Sequence, residues 1–110
     1  MSMDADDYQR ACLRTFKVKD ERDGALMTAI GLCGEAGEFA DMIKKIQFHG
    51  HDPDPLKLQS ELGDIAWYLA VACHVHCFAL SEVMEANIAK LKERYPNGWS
   101  EEASRQRPAE

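Results

Sequence analysis

The chain has no run of about 18 or more apolar residues flanked for insertion, so nothing in it reads as a membrane-spanning helix. No secretory leader opens it. Basic residues are the minority: 13 Lys and Arg stand against 19 Asp and Glu, for a net charge of −6. They are scattered or paired rather than gathered in a run, which argues against nucleic acid as a partner. There is no glycine-rich phosphate loop, GxSxG elbow or CxxC pair. Strand-like alternation, low-complexity tracts and repeats of about 20–50 residues are also missing. Cysteine is limited to Cys12, Cys33, Cys73 and Cys77. Cys73 and Cys77 sit one turn apart on helical sequence, a poor geometry for a disulfide. All four read as reduced, small core residues, and the expected setting is the cytoplasm.

What is present is helical periodicity from end to end. With 110 residues, 45% hydrophobic and 29% charged, the expectation is one all-α domain over residues 1–100 and a polar C-terminal tail over 101–110. Helices are expected over about residues 4–18, 25–47, 56–78 and 81–94. Lys19 to Gly24 is expected to form the first connection, and Gly50-His51-Asp52-Pro53-Asp54-Pro55 is a loop signal. Asp54 and Pro55 suit an N-cap and the first helical position. Tyr95-Pro96-Asn97-Gly98 stops the fourth helix, and Trp99 is expected to pack. The uncharged stretch from Ile65 to Ser81 is apolar on nearly every side. So short a chain cannot cover it alone, which predicts an oligomer, most simply a two-fold dimer.

Two acidic pairs interrupt this apolar pattern: Glu35 and Glu38 in GLCGEAGEFADMI, and Glu61 and Asp64 in SELGDIAWYLAVA. The i, i+3 spacing puts both carboxylates of each pair on one helix face. Such pairs are often solvated stripes. Here both have the same spacing, lie on consecutive helices that should pack antiparallel, and have no Lys or Arg one turn on. Asp41, beside Lys44 and Lys45, lacks that last property. At a rise of 1.5 Å per residue, Glu38 and Glu61 should differ in height by only about 6 Å. Like charges about 4 Å apart repel by roughly 4 kcal/mol at an effective dielectric of about 20. Four such groups call for a divalent cation with oxygen ligands, Mg²⁺ first and Mn²⁺ as a substitute.

Glu35-x-x-Glu38, 22 intervening residues, then Glu61-x-x-Asp64 resembles the signature of the MazG-like all-α nucleoside triphosphate pyrophosphohydrolases. The flanking GLCGEAGEFADMIKK and ELGDIAWYLA, and Asn87-x-x-Lys90-Leu91-x-x-Arg94-Tyr95-Pro96, are similar to that family too. The resemblance spans about Tyr8 to Ser100. It implies a bundle of four to five helices, assembled as a homodimer or homotetramer. It also implies Mg²⁺-dependent cleavage of a nucleoside triphosphate to monophosphate and pyrophosphate. Glu35, Glu38, Glu61 and Asp64 become metal ligands, and Glu38 or Glu35 becomes the candidate for orienting or deprotonating the attacking water. Gln9 resembles a position near the family's base pocket.

Other residues fit around that centre. Asn87, Lys90 and Arg94 share one helical face and suit phosphate contacts, although basic residues near a helix end also complement the macrodipole. Lys45 lies on the face of Glu38 and could reach phosphate or stay solvated. Tyr68, seven residues beyond Glu61, could stack on or hydrogen-bond the sugar or base, or belong to the core. Cys73, His76 and Cys77 share a face but lack a fourth zinc ligand, so packing is the better reading. Alternatives are a phosphoribosyl-ATP pyrophosphohydrolase and a non-catalytic helical interaction module. A di-iron carboxylate bundle needs Glu-x-x-His, which is absent.

Overall fold

Helix starts in this chain are set by side-chain oxygens. In the computed structural model, which describes residues 2–107, Asp4 accepts from the Asp7 N–H at the head of α1 (Ala5–Leu13). Asp20 does the same for Asp23 at α2 (Glu21–Phe48), and Asp54 accepts from Leu56 and Lys57 at α3 (Pro55–Val75). Each satisfies donors that have no intrahelical partner. Asp20 with Glu21 and Asp23 therefore starts α2 inside the stretch expected to be a connection. α1 in turn ends earlier than expected: Arg14, Thr15 and Phe16 donate to carbonyls three residues back, and the chain tightens and leaves the helix.

The corner between α3 and α4 (Leu80–Arg94) is built differently. Cys77 adopts the left-handed conformation (φ 66°). The Phe78 N–H reaches the Cys73 carbonyl at 2.8 Å and the Cys77 N–H reaches His74 at 2.9 Å. This pair is a Schellman stop, and it closes α3 at Val75 instead of Phe78. The two helices then meet at 101°. Ser81, expected to cap α4, lies inside it; the N-cap is Ala79, which has no side-chain acceptor. α1 supplies the missing acceptors. Gln9 Oε1 takes the Leu80 N–H at 3.0 Å, and the Asp6 carboxylate takes the Ser81 N–H and hydroxyl at 3.1 and 2.8 Å. Glu82 Oε1 accepts from Ala79 N–H. Pro96, and the Tyr95–Gly98 turn with Gly98 at φ 85°, end α4. The expected polar tail contains a short helix, α5 (Glu101–Arg105), capped by Ser100; its residues 108–110 lie outside the described residues.

The helices α2 and α3 form the main packed pair, with α1 lying on α3 and α4. Their register is antiparallel in steps of seven residues. Gly24 packs against Val75, Gly31 against Tyr68, and Glu38 lies beside Glu61. A seven-residue step is what helices crossing at a shallow angle produce. The buried apolar core is small: Cys12, Ala70, Val71, Cys73 and Leu80. Of the cysteines, Cys12 and Cys73 are buried and Cys33 and Cys77 are exposed, and none is paired. Trp99, expected to pack, is 71% exposed. Every regular element among the described residues is helical, and no single helix is long and apolar enough to cross a membrane.

Candidate functional site

One heptad step from the Gly31–Tyr68 contact, the α2–α3 seam becomes acidic. One carboxylate oxygen from each of Glu35, Glu38 and Glu61 lies within 4.8 Å of the others. Glu35 Oε2 and Glu61 Oε2 are buried and have no hydrogen-bond partner. Buried acceptors without donors are rare because each forfeits its hydration. Burial comes first in pushing the Glu35 carboxyl above its usual range, and the charges of Glu38, Asp64 and Glu61 add to it. Two helices thus deliver converging oxygens that repel one another, and no ion pair among the described residues reaches them. This donor set is all oxygen and all anionic, which fits a hard divalent ion such as Mg²⁺. Glu35, Glu38 and Glu61 could hold it. Asp64, the fourth residue of the set, is exposed and outside the tight triad, yet close enough for its charge to reach Glu35 and Tyr8.

Tyr8 is a neighbour that sequence reasoning did not single out. It comes from α1, is half-buried against the core, and its hydroxyl is pushed up to about 12 by burial, by Cys12 and by Asp64. Its only sequence signal is the i, i+4 row with Cys12; its approach to Asp64 is tertiary. Tyr68 lies at the same seam. Its ring meets Trp67 edge-on with centroids 4.9 Å apart. The Trp67 Nε1–H donates to Thr15 Oγ1 at 2.8 Å.

Other expected site residues fall elsewhere. Gln9 is not available to a base: it is 7% exposed, and its amide donates to the Ala70 and Phe78 carbonyls besides accepting from Leu80. Lys45 pairs with Asp41 at 2.8 Å, and Lys44 joins at 3.0 Å. Hydrogen bonds from these two lysines hold the Asp41 carboxyl down at about 2. Lys45 faces a hollow at the α2–α3 loop with Asp52 and Asp54. Asn87 and Lys90 open into a largely apolar hollow shared with Leu69, Phe78 and Met84, which none of the four acidic residues lines. Arg94 borders a third, with Pro96, Asn97 and Gly98. Within one chain, then, Glu35, Glu38 and Glu61 are brought together, and Asn87, Lys90 and Arg94 line hollows that none of the three borders. Cys73 is buried while His76 and Cys77 are exposed, and no zinc-type cluster forms among the described residues.

Comparison with known proteins gives the family. The model of the MazG nucleotide pyrophosphohydrolase domain matches residues 24–99, which include both acidic pairs, the Gly31–Tyr68 contact and all of α4. A curated relative, Gene 37 protein of Mycobacterium phage L5, is 37% identical over 86 residues, covering 72% of this chain and 73% of its own. No solved structure matches the chain significantly. The α2–α3 carboxylate seam therefore sits within a recognised domain, and the chain belongs to the MazG nucleotide pyrophosphohydrolase family.

Proposed function

We propose that the protein is a Mg²⁺-dependent hydrolase that cleaves a nucleoside or deoxynucleoside triphosphate between the α- and β-phosphates, releasing monophosphate and pyrophosphate. The observation that carries this reading is the pair of buried, partnerless oxygens, one on Glu35 and one on Glu61, in carboxylates that converge from two helices. A triphosphate brings about four negative charges, which an acidic seam accepts only through a cation. Mg²⁺ held there would polarise phosphoryl oxygens and make an attacking water more acidic. Glu35, Glu38 and Glu61 would hold the ion, with Asp64 beside them as the remaining acidic partner. Glu38, the exposed member of the triad, is the side chain best placed to orient the water or take its proton. Asn87, Lys90 and Arg94 are the phosphate contacts in this reading.

A homo-oligomer goes with it. The radius of gyration is 17.0 Å, against about 13 Å for a compact chain of this length. The surface is 8659 Å², against about 6100 Å² for a monomer of this mass. Met84, Ile88 and Leu91 line one exposed side of α4, and Leu26 and Ile30 stand exposed on α2. Covering both with further copies of the chain supports a dimer or tetramer, in which a neighbour's α4 would bring its cations toward a carboxylate seam. Four unpaired thiols suit the reducing cytoplasm.

The test is a set of standard and modified NTPs and dNTPs with Mg²⁺, scoring pyrophosphate against orthophosphate. Pyrophosphate should be the direct product, and Glu61→Gln should lose it. Orthophosphate as the first product, or a wild-type rate in Glu61→Gln, would reject the mechanism.

A further inference from the structure

A Cβ at position 31 would stand 2.1 Å from Tyr68 Cε1, 2.4 Å from Cζ and 2.7 Å from Cδ1. No real side chain tolerates such distances, so the Tyr68 ring occupies the space that any residue but glycine would fill. Gly34 and Gly37, on the same helix, meet nothing within 4 Å. Gly31 is thus the helical glycine at the seam whose missing methyl is spatially required. It is also costly to the helix, where Ala is the better former.

The ring is fixed from its other neighbours as well. Trp67 meets it edge-on, Thr15 holds the Trp67 indole N–H, and Phe16 packs on Trp67 with centroids 6.3 Å apart. Because Cζ is among the atoms nearest Gly31, the phenol hydroxyl emerges beside α2. Gly31 is one turn before Glu35, and Tyr68 is one turn after Asp64. One turn is about 5.4 Å along the axis. A nucleotide whose phosphates sit at the carboxylates puts its sugar about that far away.

We propose that Gly31 is a positioning residue for nucleotide recognition: by lacking a side chain it seats Tyr68 so that the phenol hydroxyl meets the sugar of the bound nucleotide. This rests on the hydrolase reading above for the ligand class, but not on turnover. Gly31→Ala leaves the carboxylates in place and displaces the ring, because a tyrosine side chain yields more readily than helix backbone.

The experiment measures binding in Mg²⁺ by calorimetry, comparing α,β-methylene nucleoside triphosphates with inorganic tripolyphosphate, which has no sugar. Gly31→Ala and Tyr68→Phe should each weaken nucleotide binding about fivefold, the worth of one hydrogen bond. Tripolyphosphate binding should change less than twofold. Gly31→Ala added to Tyr68→Ala should cost nothing further, since the ring it displaces is gone, and this double variant has no clash to disturb folding. In a Trp99→Phe background, Gly31→Ala should also alter Trp67 fluorescence as Tyr68 leaves it. Equal losses for both ligands, independent effects in the double variant, or unchanged nucleotide affinity would overturn the proposal. Nucleotide binding that follows this pattern without any hydrolysis would reject the hydrolase and keep the positioning role. A wild-type protein that binds neither ligand ends both.

Discussion

At the α3–α4 corner a single side-chain amide serves three backbone groups. Gln9 donates to Ala70 and Phe78 and accepts from Leu80, with the Ala70 and Leu80 contacts buried and the Phe78 contact partly so. Gln9→Ala should therefore destabilise the protein by about 2–3 kcal/mol in urea titration, because buried polar groups lose their partners. Gln9→Glu should be worse than its size suggests, since a carboxylate oxygen would face two carbonyls. Nearby, Cys77 holds the left-handed position that glycine usually takes at a helix stop. Its side chain is exposed, so little packing is lost on replacement. Cys77→Gly should stabilise by roughly 1 kcal/mol, visible as a higher denaturation midpoint with an unchanged slope. The sequence marks Gln9 as one polar residue in an amphipathic helix; which backbone groups it meets depends on residues more than 60 positions away.

Among elements, α4 has its N-terminus completed by another helix. The two hydrogen bonds from Ser81 hold the Asp6 carboxyl below its usual value of 3.8. A depressed carboxylate contributes stability that is present above the unfolded value and lost as pH falls through the folded one. Asp6→Ala should lower Tm near neutrality, and the gap from wild type should close as pH drops below 3.8; a gap independent of pH rejects the clasp. The α2–α3 pair carries the opposite kind of term, since its carboxylates oppose one another. Glu35→Gln should raise Tm in EDTA by removing a poorly solvated charge, and should shrink the upward shift that Mg²⁺ gives the wild type. An unchanged Mg²⁺ response in the variant would detach Glu35 from the metal. The acidic pairs were legible because i, i+3 spacing fixes a helix face. Their juxtaposition was legible because a short loop forces antiparallel packing. The seven-residue register itself needed the structure: Gly31 against Tyr68 depends on a ring filling a particular gap.

For the whole molecule the decisive quantity is uncovered surface. The excess over a compact monomer of this mass is about 2500 Å², more than a standard two-protein interface buries. Sedimentation should give at least twice the 12.4 kDa chain mass and a Tm that rises with protein concentration. Ile88→Glu, placing a charge amid the exposed α4 residues, should reduce the assembly. A wild-type chain that sediments at its own mass, with Tm independent of concentration, would refute the oligomer. Trp99 belongs to the same question: its expected burial does not occur within one chain.

Taken by itself, the sequence determined the helical class, several helix ends and the four acidic positions. Those follow from interactions within a few residues: turn periodicity, side-chain caps and proline stops. Tertiary structure alone decided that Asp64 stands slightly apart from the triad of Glu35, Glu38 and Glu61. It also drew Gln9 into the scaffold, brought Tyr8 near Asp64, kept α4 at 101° from α3 and laid Tyr68 on Gly31. These depend on the angle and register at which helices pack. Side-chain volumes far apart in the chain set that geometry, and no local pattern encodes it.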